Sequence, residues 1–412
     1  MPDPDVWDLI VVGGGAAGFF AAITCAESQP GPRLLILEKS AQVLGKVKIS
    51  GGGRCNVTHS CFDPRELAQC YPRGHQSLIG PFHRWGAADT VDWFQSRGVQ
   101  LKTEADGRMF PITDDSQTII DCLTSAADDA GMTVRTSTGV QSILPPNDTS
   151  PVFTTTTDSG AKLLANSLLL ATGGTRLTAG ARLAESLGHT LIPNVPSLFA
   201  FNIDDPRIAD LPGVSVPDAE VSVEGMKLKA DGPLLITHHG LSGPGVLKLS
   251  AWGARELHDC DYQFSIRVNW LPKENVATVL QETRQSWGKR QVRSRAPFEQ
   301  FPKRLWQKLC MAAGVDDNST WSQFTKSNMQ TLLAELTECT LPVSGKSLNK
   351  DEFVTCGGVK LNDIDLKTME SKITPRLYFA GEILDIDGVT GGFNFQNAWT
   401  SGHVAGSAIA EI

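Results

Sequence analysis

The segment DLIVVGGGAAGFFAAITCAE, residues 8–27, limits what this chain can fold into more than any other. Leu9 to Val12 form an apolar run without alternation, the pattern of a strand covered on both faces. Gly13, Gly15 and Gly18 then make a GxGxxG turn, with Ala16 and Ala17 inside it, and a helical pattern follows. In such a turn the first glycine permits the bend, the second lets a pyrophosphate reach the backbone, and the third lets helix and strand pack closely. A second apolar strand, RLLILEK, ends at Glu38 and Lys39, so the whole is a βαβ crossover. The Glu38 carboxylate can accept both hydroxyls of an adenosine ribose and would repel a 2′-phosphate.

This turn alone does not separate NAD from FAD. FAD is long, and its flavin end must be reached by segments far from the first turn. Two segments qualify. ATGG, with Thr172, Gly173 and Gly174, closes another apolar strand. LYFAGEILDIDGVTGGFNFQNAW places Gly381 and Glu382 after a strand, Asp387 in the loop, and Gly391 and Gly392 before a terminal helix expected to start near Gln396. Phe393, Asn394, Asn397 and Ala398 belong to that stretch. Asp387 is expected to accept hydrogen bonds from ribityl hydroxyls, and the helix N-terminus to stabilise negative charge at the flavin N1–C2=O edge. A third cluster, ISGGGRCNVT, brings Ser50, Gly51, Gly52, Gly53, Arg54, Cys55 and Asn56, with Lys46 just before it. Consecutive glycines let N–H groups converge on an anion or lie against a ring. Arg54 suits pyrophosphate, Cys55 reads as a packing residue rather than a redox thiol, and Asn56 as a partner of loop backbone or flavin edge.

At 412 residues the chain exceeds one core. From about 195 the texture changes to short alternating strands, and from about 273 to helical patterns, neither with a glycine fingerprint. The expected division is an FAD-binding domain over 1–194 and 346–412, interrupted by a β-rich domain at 195–272 and a helical domain at 273–345. The fold class is α/β, a Rossmann-type domain carrying that insertion.

The net charge of −8 argues against a nucleic-acid face, and the basic run Lys289–Arg295 reads as a solvated surface. Nine cysteines without a CxxC pair fit reduced thiols. An acidic start, MPDPDVWD, and no apolar run of membrane length make cytoplasm the expected location. No metal-ligand spacing surrounds His238 and His239; His239 is the candidate acid–base residue.

SGGGRCNVT, GRMFP, ATGG, the GLSGP loop and VTCGGVKLNDIDLKTMESK followed by LYFAGEILDIDGVTGGFNFQNAW resemble the BaiN/YhiN-like flavoproteins, which include aminoacetone oxidase and bile-acid enone reductases. The resemblance runs nearly end to end. It implies FAD contacts at Gly13, Gly15, Gly18, Glu38, Arg54, Gly173, Asp387 and residues 391–397, and a β-barrel-like plus a helical subdomain in the insertion. After ATGG the sequence TRLTAGARLAESLGH departs from the family's TGSTGDGY-like pattern. The leading expectation is an FAD-dependent oxidoreductase passing a hydride at flavin N5 with a small organic substrate, and with NAD(P)H as at most a transient electron donor. A flavin-bearing sensor and an NAD-dependent dehydrogenase are the alternatives.

Overall fold

A computed structural model of the chain describes residues 6–148, 150–174, 179–347 and 354–412, and divides into two compact units. The first comprises Met1–Val195 and Lys350–Ile412, the second Pro196–Asn349. Residues 175–178 of the divergent stretch after ATGG lie outside the described residues.

Five parallel strands build the first unit: β1 (Val6–Val12), β2 (Leu34–Leu37), β3 (Thr133–Arg135), β4 (Lys162–Leu170) and β5 (Leu377–Phe379). Their spatial order is β3-β2-β1-β4-β5, with every neighbour parallel. That is the order of a dinucleotide-binding sheet, whose ligand crevice lies where the order reverses, outside the carboxyl ends of β1 and β4. Leu9–Val11 and Leu168–Leu170 are fully buried, which explains why neither strand alternates.

The two ends of the chain meet through helices. α1 (Ala16–Ser28) packs against α2 (Phe393–Ala410), three residues longer at its start than the sequence predicts. A Cβ on Gly402 would sit 2.8 Å from the Ala17 carbonyl oxygen, and one on Gly406 2.3 Å from that of Ala21. These glycines, one turn apart, let the helices approach backbone to backbone. Around them Phe20 meets Trp85, Trp93 and Trp399, with ring centroids 4.8–5.4 Å apart.

His403 of α2 stacks on Trp85 at 3.9 Å, and burial holds its pKa down at about 4 against the opposing pull of Asp89. A histidine kept neutral in the fold but basic when unfolded stabilises fully above pH 6.5 and loses that contribution as pH falls toward 4. Melting temperatures of the parent should therefore fall relative to those of His403→Phe as pH drops from 6.5 to 4. Parallel curves across that window would remove His403 from the acid response.

In the second unit, seven strands follow the order Cys339–Val343, Phe264–Asn269, Ser215–Val223, Lys229–Thr237, Gly240–Ser242, Ala200–Asn202, Gly345–Ser347. The terminal strands are separated in the chain by Ser344 alone, whereas a flat sheet would hold them about 29 Å apart at 4.8 Å per step. The sheet must therefore curl until its ends meet. Helices Val276–Ser286, Lys303–Ala312 and Lys326–Thr337 share one hydrophobic core with these strands, including Trp270, Trp306 and Trp321.

Candidate functional site

At the carboxyl end of β1 the three glycines do different work. Gly13 has φ +118°, and a Cβ there would lie 2.3 Å from the Ala171 carbonyl oxygen at the end of β4. A Cβ on Gly18 would lie 2.1 Å from Gly13 O. Gly15 caps α1 in extended conformation, and nothing stands within 4 Å of where its Cβ would be. Gly13 and Gly18 are thus required by the protein itself. Gly15 faces open space beside the unpaired N–H groups and positive pole of α1. Glu38 closes the lip: its Oε2 accepts from Gly14 N–H and its Oε1 from Ser40 N–H, both at 2.8 Å. Lys39 beside it is exposed.

The stretch expected as a loop around the triple glycine contains a helical turn, Gly45–Gly53, broken where Ser50 extends and Gly51 and Gly52 take φ of +59° and +69°. Ser50 Oγ donates to Val47 O (3.0 Å). Gly52 and Gly53 face open space, while Gly51 abuts Phe110 and Asn56. Arg54 lies over the Phe110 ring at 4.0 Å and pairs with Glu104 at 2.6 Å, so its charge is already engaged. Cys55 is buried, and desolvation pushes its thiol up to about 12, far from a reactive thiolate. The Asn56 amide, oriented to its neighbours, donates to Thr58 O and Met109 O and accepts from Gly392 N–H at 2.9 Å, tying this loop to the start of α2.

Beyond β4, Gly173 has φ +74° and open space around it. Gly174 packs on Thr355 and Glu382. Glu382 Oε1 accepts from Thr355 N–H, and its Oε2 pairs with Lys46 at 2.5 Å. Gly381 N–H donates to Ser401 Oγ (2.8 Å). On α2, Gln396 accepts from Thr58 Oγ1 and donates to Thr400 Oγ1, and Asn394 bonds Gly388 twice. Phe393 and Ala398 are buried, and the Phe393 ring stacks on His59 at 4.8 Å. Two polar atoms break the pattern of saturation: Thr172 Oγ1 and Asn397 Oδ1 are buried with no hydrogen-bond partner among the described residues. Orphaned buried polar atoms call for a ligand. With the open faces of Gly15, Gly52, Gly53 and Gly173, they fit a long polar cofactor.

Asp387 is fully buried, and Arg73 spans both its oxygens, with Nε–Oδ1 at 2.5 Å and a second bond from Nη2 to Oδ2. Arg73 carries no motif in the sequence; only the requirement that a buried carboxylate be paired could have called for such a cation. His59 was likewise missed. Its Cδ2 lies 3.5 Å from a Cβ built on Gly391, and its Nε2 is 3.0 Å from Asp106 O. His239 is exposed in the turn before Gly240 in the second unit, where its carbonyl accepts from Ile203 N–H. A pocket of about 500 Å³ in that unit is lined by His238, Asp204, Asp205 and Pro212. No described helix is long and apolar enough to cross a membrane.

Residues 7–408 match the family model described as the HI0933-like protein Rossmann domain. Over 405 residues the chain is 30% identical to a ribosomal RNA dihydrouridine synthase of Escherichia coli, covering 96% of each. It is 28% identical to a 3-dehydro-bile acid delta(4,6)-reductase of Clostridium scindens, over 97% of this chain and 98% of that one. Among solved structures, an open conformation of a flavocytochrome c3 fumarate reductase aligns with TM-score 0.52 at 17% identity, over 100% of this chain and 79% of that one.

Proposed function

The chain belongs to the HI0933-like Rossmann-domain family, and from that premise we propose that this FAD-dependent oxidoreductase reduces a carbon–carbon double bond conjugated to a carbonyl. The observation that carries the proposal is the chemistry shared by two relatives matched end to end. Making dihydrouridine saturates the uracil C5=C6 bond, which is conjugated to the C4 carbonyl. A delta(4,6)-reductase of a 3-oxo steroid acts on double bonds conjugated to the C3 ketone. One kind of electrophile, a carbon β to a carbonyl or its vinylogue two carbons further along the conjugation, serves both.

FAD, once bound and reduced by two electrons from an external donor, would supply a hydride from N5. The residues around it hold and orient. Gly15 and the first N–H groups of α1 take the pyrophosphate, Glu38 the adenosine ribose, and Thr172 Oγ1 and Asn397 Oδ1 polar groups of the cofactor. Gly52, Gly53 and Gly173 leave room for it. Arg54, engaged by Glu104, contributes through the loop it braces. The substrate's α-carbon needs a proton, and His239, exposed in the turn before Gly240, is the proposed source. His239→Gln should lower substrate reduction about 10²-fold at unchanged flavin content; an unaltered rate would exclude it. Absence of a second GxGxxG in the sequence favours a transient visit by NAD(P)H, or another external donor, over a dedicated nicotinamide site.

Product analysis tests the proposal. The holoenzyme, reduced chemically without oxygen, is offered uridine, uridine within RNA, and steroidal or simple enones. A mass gain of two hydrogens at the conjugated bond is expected for one of these classes; recovery of all of them unchanged would overturn the proposal.

A further inference from the structure

Between residues 284 and 308 the chain holds eight basic residues against one acid, Glu299, although acids outnumber bases in the whole. The chain-wide charge, which argued against nucleic acid, averages over this segregation. Three of the eight cations are engaged: Arg293 pairs with Asp317, Arg304 donates to Asp210 O, and Lys308 stands 3.8 Å from the Asp210 carboxylate. Arg284, Lys289, Arg290, Arg295 and Lys303 are exposed, and among the described residues none of the five is ion-paired. A merely solvated helical face would interleave the two signs.

The segment that presents them is fixed. Ser322 N–H donates to Gly288 O, Trp321 N–H to Arg290 O and Val292 N–H to Ser319 O. The buried indole of Trp306 donates to Val292 O at 2.9 Å. Trp306 lies one turn along its helix from Lys303, so the loop and the helix start share a surface. Arg290 lies over the partly exposed Trp287 ring at 4.9 Å, the pairing of cation and aromatic face on which an unstacked base can settle.

We propose that the surface formed by Lys289, Arg290, Arg295, Arg284 and Lys303 binds the phosphate backbone of RNA. The inference rests on the reductase reading above and narrows its substrate to a uracil carried in an RNA strand. Unpaired cations held on a rigid loop release counterions from a phosphate chain and pay little ordering entropy. Small neutral enones would draw nothing from such a surface.

The test uses the FAD-loaded full chain and protein-free ribosomal RNA, with binding followed over a salt series. Lys289→Gln, Arg290→Gln and Arg295→Gln are combined in one variant. A control removes the same charge at exposed Lys162, Lys326 and Lys360. The first variant should bind RNA at least about tenfold more weakly, with the slope of log K against log salt reduced by about 2, roughly 0.7 per lost cation on single strands. The control should change neither by more than about twofold. Equal losses in the two variants, retention of RNA by the first, or parental binding to phosphatidylserine vesicles but not to RNA would overturn the proposal. Flavin content and reduction of a free enone or uridine are read on the same samples. Their failure with RNA binding intact strikes the reductase reading, whereas lost RNA binding leaves it standing.

Discussion

Gly15→Val should yield a folded protein without its flavin. The position is extended, with φ −93° and ψ −174°, which valine adopts readily, and no atom stands within 4 Å of the new Cβ. Melting of the apo-protein should change little. The added methyls occupy the space through which a pyrophosphate meets the first N–H groups of α1. Displacing it from two charge-assisted hydrogen bonds, at about 1.5–3 kcal/mol each, weakens FAD by about 10²–10⁴-fold. Gly13→Val and Gly18→Val differ in kind, because their Cβ atoms strike backbone at 2.3 and 2.1 Å and disturb the fold itself. Absorbance and released flavin, beside thermal melts of the apo-proteins, separate the two classes. A yellow Gly15→Val protein would place the pyrophosphate elsewhere.

Asp387→Ala should cost about 3–5 kcal/mol of stability in the apo-protein, because it removes the carboxylate that Arg73 binds through two nitrogens in a site where the side chain is only 14% exposed. Replacing both partners by apolar residues, Arg73→Met with Asp387→Leu, should recover much of that loss. Denaturant unfolding without FAD measures both. If Asp387→Ala unfolds like the parent and only FAD is weakened, the carboxylate serves the ribityl chain, as the sequence suggests, rather than the loop's own cation.

Three of the five strands were legible because they are apolar, buried and end in glycines: Val12, Leu170 and Phe379 each lead within a few residues to Gly13, Gly173 and Gly381. The sheet order β3-β2-β1-β4-β5 brings residues 160 positions apart into one crevice, and the shared glycine signature anticipated that convergence. Side-chain partners were less legible. Nothing in the spacing of Arg73 points to Asp387, 314 residues away, or of Glu104 to Arg54. Such pairs are set by which polar groups burial leaves facing each other, information that exists only once the chain is folded. A barrel-like form for the second sheet was expected from the family resemblance alone, not from any pattern in the residues. It follows from Ser344 joining the two ends of the strand order, and no local pattern encodes that.

A single turnover of the reduced holoenzyme, mixed without oxygen with matched ligands, tests the central claim most directly. One ligand carries a double bond conjugated to a carbonyl; the other carries the same bond moved out of conjugation. Flavin absorbance should return at 450 nm, about the usual maximum of oxidised flavin, only with the conjugated ligand, and one equivalent of product saturated at that bond should form. Return of absorbance with both ligands, or with neither across uridine-bearing RNA and enones, would contradict it.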